Sequence, residues 1–205
     1  MRKTFAPAAV AALLALTPFA VQAADIDPSK AAAGTYMEDP LHTSLTARIS
    51  HGGGLSTYQF RFEKVDITYT YDPAKPAATV VTAKIDPRSI STGYEKHATD
   101  KDFNAELYGE RFLNSVKFPS IDFKSTGIAF NGNKGKMTGE VTFFGVTKPI
   151  TLDVTYYGSA VAGGKNKMGF SAVGVLKRSD FGFSAMVGPL GDDVTFMIES
   201  ELVKQ

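Results

Sequence analysis

Between Ser120 and Gly158 apolar and polar residues alternate over three consecutive segments of strand length. Because successive side chains of a strand point to opposite faces, this alternation predicts three strands that each bury one face. Asn131-Gly132 lies between the first two segments and is a strong signal for a short hairpin turn. The second connection, Gly145–Lys148, is nearly as short. The segment is therefore predicted to be an antiparallel meander, with these alternating sets on its buried face: Ile121, Phe123 and Ser125; Met137, Gly139, Val141 and Phe143; Ile150, Leu152, Val154 and Tyr156.

The same alternation covers most of the remaining chain. Between Tyr58 and Tyr71 its phase changes at Glu63-Lys64, which a β-bulge within one long strand explains. Gly34–Met37 is predicted to be a short first strand. Eight longer strands are predicted, over residues 43–51, 58–71, 79–86, 120–130, 136–144, 148–158, 167–177 and 193–202.

Two segments interrupt this pattern. Within residues 87–119, Thr99–Tyr108 is predicted to form a short helix, with Thr99 or Asp100 as its N-cap. Ser179–Asp193 is predicted to be a glycine-rich loop. Since open sheet edges invite aggregation, mostly antiparallel strands without an internal repeat favour closure. The predicted fold is all-β: a roughly eight-stranded antiparallel barrel with a short helical insertion, with a two-sheet sandwich as the alternative.

The N-terminal residues 1–23 have the features of a cleaved secretory signal peptide. Arg2 and Lys3 give a basic start, an apolar stretch follows, and Val21-Gln22-Ala23 forms a small-x-small cleavage pattern. Residues 24–205 are then expected to be a single mature domain in the periplasm.

Composition narrows the function classes for that mature domain. Loss of Arg2 and Lys3 changes the net charge from +1 to −1. A nearly neutral domain of this kind lacks the excess of positive charge that is typical of nucleic-acid-binding proteins. No further apolar run is long enough for a membrane span. The sequence contains no cysteine, so the domain must be stabilised by its core rather than by disulfides.

Catalytic and metal-binding patterns are weak in this sequence. It has neither cysteine nor the G-x-S-x-G nucleophile motif. The run Gly52-Gly53-Gly54 leads into a strand rather than a helix, so it favours a turn over a phosphate-binding loop. Zinc requires three or four converging ligands, whereas the three histidines are His42, His51 and His97. We therefore expect no catalytic residue, no metal and no cofactor other than a bound ligand.

The sequence is rich in aromatic residues that a barrel interior could hold, with 15 Phe and 8 Tyr. Residue types alone are compatible with a fully packed core and with the lining of a tunnel. Both readings can hold, with one end of the barrel packed and the other open.

Several short motifs follow one another along the chain: His42-Thr43-Ser44, Ser50-His51-Gly52, Ser89-Ile90-Ser91-Thr92-Gly93, Phe112-Leu113-Asn114, Lys117-Phe118-Pro119, Phe123-Lys124-Ser125-Thr126, Gly145-Val146-Thr147-Lys148-Pro149 and Arg178-Ser179-Asp180-Phe181-Gly182. Each motif alone is weak, and the set covers essentially the whole mature chain. In this order the motifs resemble the YceI-like family of exported polyisoprenoid-binding proteins.

The resemblance implies a lipocalin-like barrel that holds a long isoprenoid or similar lipid in its cavity, commonly in a homodimer. Two positions depart from the usual pattern: family members often carry an acidic residue where Asn104 stands and a histidine where Glu106 stands. The expected function is to bind an isoprenoid or related long-chain amphiphile for sequestration or transport. The alternatives are an exported stress or assembly protein with a packed barrel, and an enzyme acting on an isoprenoid lipid.

Strand parity, together with the resemblance, gives a set of candidate ligand-binding residues. The candidates are Leu45, Ala47, Ile49, Phe60, Phe62, Val65, Ile67, Val81, Ile85, Phe103, Leu107, Phe112, Ile121, Phe123, Val141, Phe143, Phe170, Phe181, Phe183 and Met186.

The interrupting segments Thr99–Phe118 and Ser179–Asp193 carry the loop members of this set. They are expected either to fold over the ligand as lids or to plug the barrel ends. A Phe183→Ala substitution is expected to release lipid faster with little loss of thermal stability.

Overall fold

The computed structural model describes residues 24–94 and 102–205. Short 3-10 turns occur at Pro28–Lys30, Pro76–Ala78, Pro87–Ser89 and Arg178–Phe181, and the helix α1 spans Phe103–Tyr108. The strands are β1 (Gly34–His51), β2 (Ser56–Phe62), β3 (Val65–Tyr71), β4 (Val80–Ile85), β5 (Ile90–Ser91), β6 (Ile121–Asn131), β7 (Lys134–Phe143), β8 (Val146–Ala162), β9 (Lys165–Lys177) and β10 (Leu190–Lys204).

The strands form one antiparallel sheet that closes on itself. Its order is β10-β9-β8-β7-β6-β4-β3-β1-β2-β5, and pairing of β10 with β1 closes the barrel. β2 and β3 pair with successive halves of β1 and act as one bent wall strand. The two-residue β5 adds only a short extension to β2. The barrel therefore has eight wall strands, which confirms the predicted fold and rules out the sandwich.

Irregularities occur where the alternation changes phase. The break between β2 and β3 lies at Glu63-Lys64, as predicted, and Phe62 and Val65 on its two sides are both buried. Gly34–Met37 is not a separate strand, because β1 continues through a wide bulge between Glu38 and Thr43. A further shift between Ser125 and Gly127 changes the inward phase of β6.

Both predicted hairpins are present, and their turns differ in geometry. The β6–β7 loop consists of Gly132 and Asn133, and only Gly132 has a positive φ, which is typical of a type II′ turn. The β7–β8 loop consists of Phe144 and Gly145, which both have positive φ, as in a type I′ turn. The β6–β7 turn, Gly132-Asn133, therefore lies one residue later than the predicted turn, Asn131-Gly132.

The connections divide the barrel into two ends. One end, here called the mouth end, carries the connections β1–β2, β4–β6, β7–β8 and β9–β10. Both interrupting segments lie at this end, so they do not plug opposite ends. The other end, here called the floor, carries the connections β3–β4, β6–β7 and β8–β9 together with the N-terminal residues 24–33.

The predicted helix is shorter than expected. α1 begins at Phe103 and its N-cap is Asp102, whose carboxylate accepts a hydrogen bond from the Ala105 N–H at 2.9 Å. The predicted caps, Thr99 and Asp100, lie outside the described residues, as does His97.

Candidate functional site

The interior of the barrel holds one large cavity of about 570 Å³. This volume lies within the range of about 300–1,000 Å³ that is usual for small-molecule sites. Its walls are the inward-facing side chains of the eight wall strands, and α1 and the β9–β10 connection contribute to them at the mouth end. The lining is almost entirely aliphatic and aromatic, so the cavity favours an apolar ligand.

The structure places all but two of the candidate ligand-binding residues around this cavity. Val65 and Phe181 are the exceptions, because both are buried in the surrounding core and do not line the cavity. The residues that do line it are Leu45, Ala47, Ile49, Phe60, Phe62, Ile67, Val81, Ile85, Phe103, Leu107, Phe112, Ile121, Phe123, Val141, Phe143, Phe170, Phe183 and Met186.

The candidate set omitted much of the cavity wall. Alternation within β8, β9 and β10 was visible in the sequence and could have supplied about half of the missing residues. Ile128 was hidden by the phase shift after Ser125. The omitted lining residues are His51, Tyr58, Tyr69, Ala83, Ile90, Tyr94, Glu106, Leu113, Ile128, Met137, Ile150, Leu152, Val154, Ala172, Leu176, Arg178, Leu190, Val194, Phe196, Ile198, Ser200 and Leu202.

The cavity reaches the surface at the mouth end. His51, Tyr94 and Met186 line the cavity and are also exposed to solvent. Tyr94 packs edge-on against Phe103 of α1, with ring centres 4.9 Å apart. At the opposite end the lining residues Tyr69 and Leu202 are buried. A ligand chain can therefore enter at the mouth end and extend toward the floor.

Tyrosine side chains close the floor against the N-terminal segment. The Tyr36 hydroxyl donates to the Ala32 carbonyl at 2.7 Å, and the Tyr71 hydroxyl donates to the Pro28 carbonyl at 2.8 Å. Burial raises the pKa of Tyr69, whose ring packs 5.3 Å from that of Phe170. A phenol is already neutral at physiological pH, and burial moves the pKa of Tyr69 further above that range.

Arg178 holds the β9–β10 connection in place. Its buried guanidinium donates to the Gly191 carbonyl at 3.0 and 2.8 Å and to the Ala185 carbonyl at 3.0 Å. Burial lowers the pKa of this guanidinium, and Asp192 opposes the shift. Because Arg178 spans both sides of the loop, it positions the adjacent aromatic side chains at the mouth end.

An aromatic cluster packs beside Arg178. The Phe183 ring stacks on Phe144 with centres 5.3 Å apart and meets Phe143 edge-on at 5.8 Å. The Phe118 ring also packs against Phe144, with centres 4.3 Å apart. Phe183 is thus a buried part of the packing rather than a loose loop contact. We therefore now expect Phe183→Ala to reduce stability as well as to speed lipid release.

Asn104 and Glu106, the two departures from the family pattern, lie in α1. The Asn104 side-chain oxygen accepts hydrogen bonds from the Thr92 N–H at 3.0 Å and from the Thr92 hydroxyl at 2.9 Å. The carboxylate of an acidic residue would accept the same two hydrogen bonds. Asn104 therefore keeps the contact with Thr92 that an acidic residue could make at this position. Glu106 lines the cavity near its mouth and is exposed.

A second polar cluster lies on the outer wall at the β1 bulge. Ligand atoms of Asp39, His42 and Glu201 lie within 4.8 Å of one another, a spacing that could hold a metal ion. The Lys167 ammonium already bridges both carboxylates, at 3.1 Å from Asp39 and 3.0 Å from Glu201. Hydrogen bonds from His42 and Lys167 lower the pKa of Asp39 to about 2. This lysine supplies the positive charge that a cation would bring, so the cluster is complete as an ion-pair network.

A closed antiparallel barrel with an apolar cavity that opens at one end defines a lipocalin-like binding fold. The YceI-like domain model matches residues 36–202, and the chain belongs to this family. Among its relatives is Protein YceI of Escherichia coli O6:H1, which is 35% identical over 166 residues, covering 80% of this chain and 83% of the relative.

Two solved structures have the same fold. BcnA of Burkholderia cenocepacia superposes with a TM-score of 0.68 at 23% identity, over 80% of this chain and 98% of that one. A polyisoprenoid binding domain from Saccharophagus degradans, implicated in plant cell wall breakdown, gives a TM-score of 0.57 at 10% identity, over 85% and 100% of the two chains. No helix within residues 24–94 and 102–205 is long and apolar enough to cross a lipid bilayer.

Proposed function

We propose that this protein binds a long-chain isoprenoid or related amphiphilic lipid in the barrel cavity and sequesters or transports it in the periplasm. The apolar chain lies along the barrel axis with its end toward the tyrosine floor, and the polar head remains at the mouth. The observation that carries the proposal is a single apolar cavity that runs from an exposed mouth to a buried floor.

The size of the cavity fits one lipid chain. If each non-hydrogen atom occupies as much space as a water molecule, about 30 Å³, the cavity holds on the order of 20 such atoms. Burial of ~20 methylene-like groups contributes about 16 kcal/mol at ~0.8 kcal/mol each. Loss of translational and rotational freedom costs about 4–15 kcal/mol. A micromolar complex requires about 8 kcal/mol, so the difference is sufficient when that cost is about 8 kcal/mol or less, in the lower part of its range.

Family membership supports a lipid as the ligand class. The solved structure from Saccharophagus degradans is described as a polyisoprenoid binding domain, and its barrel has the same architecture. Secretion to the periplasm is supported by the signal-peptide features of residues 1–23.

The distribution of ionisable groups favours binding over catalysis. Among the described lining residues, the imidazole, carboxylate and guanidinium groups belong to His51, Glu106 and Arg178, and all three residues lie at the mouth end. The Arg178 donors are engaged by backbone carbonyls. The deeper walls are aliphatic or aromatic apart from the tyrosine phenols and Ser200. They therefore provide apolar contacts for a lipid chain and no pair of groups for acid–base catalysis.

A cavity-filling variant tests the proposal. Ala172 lines the cavity, so Ala172→Phe inserts a ring into the space that the chain would occupy. Its neighbour Val173 has the opposite parity in β9, which makes Val173→Phe a control that adds the same ring outside the barrel. The probe is a polyene fatty acid whose fluorescence rises in apolar surroundings.

We expect Ala172→Phe to weaken probe binding by about tenfold or more, whereas Val173→Phe leaves it unchanged. Thermal unfolding of both variants confirms that the fold is intact. Equal binding by wild type and Ala172→Phe would place the ligand elsewhere and contradict the proposal.

A further inference from the structure

Large apolar side chains project into solvent around the opening of the cavity. Leu55 in the β1–β2 turn is 91% exposed, and Val116 in the β4–β6 connection is 95% exposed. Three further exposed residues lie on the same loops or on the β9–β10 connection. The mouth rim is defined here as Leu55, Tyr94, Val116, Met186 and Val187.

The mouth rim is continuous with the cavity wall. Tyr94 and Met186 line the cavity while remaining 44% and 41% exposed, so each contacts both spaces. The β1–β2 turn that carries Leu55 is joined to the β9–β10 connection by a hydrogen bond from the Gly53 N–H to the Pro189 carbonyl at 3.3 Å. An apolar chain leaving the cavity therefore meets apolar side chains at the rim.

Exposed apolar residues also occur elsewhere on the barrel. Leu41 lies on the β1 bulge of the side wall, and Val161 lies beside the β8–β9 turn at the floor. Single residues of this kind are normal on a protein surface, whereas the mouth rim places several of them on the loops at the opening of an apolar cavity, where they can form an interaction site.

The charges near the rim are mixed in sign. Arg111 and Lys117 are exposed beside Val116, and Glu110 and Asp180 are exposed on the same two connections. Among the described residues, these two basic and two acidic side chains give no excess of positive charge that would select anionic lipid headgroups. The rim is therefore suited to an uncharged apolar contact.

We propose that the mouth rim docks on the surface of a lipid bilayer, with Leu55 and Val116 inserted at the level of the headgroups. This inference rests on the proposed lipid-binding function and names the partner of the same site. A chain that passes between cavity and bilayer through this contact is less exposed to water, because apolar side chains of the rim flank its path. Docking of a protein partner would not require the apolar lining of the cavity to continue onto the rim, whereas transfer of a lipid to a bilayer would.

Flotation with vesicles of phosphatidylcholine tests the rim. The variant Leu55→Ser/Val116→Ser removes both exposed aliphatic side chains, and neither residue lines the cavity. The matched control is Leu41→Ser/Val161→Ser, which removes one exposed leucine and one exposed valine, 88% and 69% exposed, away from the mouth. Probe binding in solution is measured on all three proteins.

We expect wild type and control to float with the vesicles, and the rim variant to lose at least tenfold in the bound fraction at equal probe affinity. Addition of phosphatidylglycerol should not increase binding of the wild type. Failure of wild type to float, equal flotation of rim variant and wild type, or a requirement for anionic lipid would each overturn the docking proposal. If the wild type did not bind the probe in solution, the proposed cavity function would be refuted. This measurement therefore distinguishes a failure of the lipid-binding proposal from a failure of the docking proposal.

Discussion

The guanidinium of Arg178 lies over the ring of Phe183, 4.8 Å from its centre, and donates its hydrogen bonds to the backbone carbonyls of Ala185 in the loop and Gly191 at the start of β10. Arg178→Met keeps an unbranched apolar stem and removes these donors. The carbonyls of Gly191 and Ala185 then lose a charged partner, and we expect a loss of about 3 kcal/mol in unfolding free energy. Urea denaturation measures the effect.

Arg88→Met is the control for that substitution, because Arg88 is exposed and pairs with Asp86 at the surface. Its loss should be below about 1 kcal/mol. Equal losses in the two variants would show that Arg178 does not hold the mouth-end loop.

Gly145 combines a left-handed conformation with a close aromatic neighbour. Its φ is +77°, and a Cβ would lie 2.8 Å from the Phe118 ring. Gly145→Ala must therefore move this ring in addition to straining the backbone, and we expect a cost of about 2–4 kcal/mol. Gly163 has a φ of +59° and open space around it, so Gly163→Ala should cost only about 1–2 kcal/mol. Thermal unfolding that gives the same cost at both positions would contradict the contact with Phe118.

Asp39 should make the stability of the barrel pH-dependent. Its folded pKa of about 2 lies below the ordinary value of 3.8, through hydrogen bonds from His42 and Lys167. A lowered folded pKa stabilises the protein above the unfolded pKa, and this contribution is lost as pH falls from about 4 to about 2. The stability difference between wild type and Asp39→Asn should therefore shrink over this window in urea titrations.

The same comparison in a Lys167→Met background identifies the partner. Without the ammonium, the pKa of Asp39 moves back toward its ordinary value, so the Asp39→Asn difference becomes smaller and less dependent on pH. An unchanged pH dependence in this background would exclude Lys167 as a cause.

Met186 offers a test of ligand retention that Phe183 cannot provide. Met186 lines the cavity and is exposed, so Met186→Ala should speed probe release about tenfold with a change in stability below about 1 kcal/mol. Val187→Ala is the control, since Val187 is similarly exposed but does not line the cavity. Stopped-flow displacement of the probe gives the rates, and equal rates for the two variants would contradict a role for Met186 at the opening.

Period-two alternation was sufficient to predict the strands and their inward faces, because burial of one face fixes side-chain parity. It failed where a bulge changes that parity, as for Ile128 after Ser125. The alternation also could not distinguish a packed core from a cavity, since Phe123 and Val65 have the same character in the sequence and only one lines the open space.

Loop chemistry was the least predictable part. An arginine in a glycine-rich segment is usually exposed, and nothing in the sequence indicates that Arg178 is buried against backbone carbonyls. The depth of Phe183 depends on its stacking with Phe144 across two connections. Such contacts between loops are set by tertiary packing, so local patterns carry no signal for them.

Native mass spectrometry of the protein isolated from the cells that produce it tests the central claim most directly. We predict a species heavier than the polypeptide by one lipid, and solvent extraction should release a long-chain apolar molecule. After delipidation the protein should bind the polyene probe, and Ala172→Phe should not. A native protein that carries no lipid, and that fails to bind probe or extracted lipid when folded, would contradict lipid binding in the cavity.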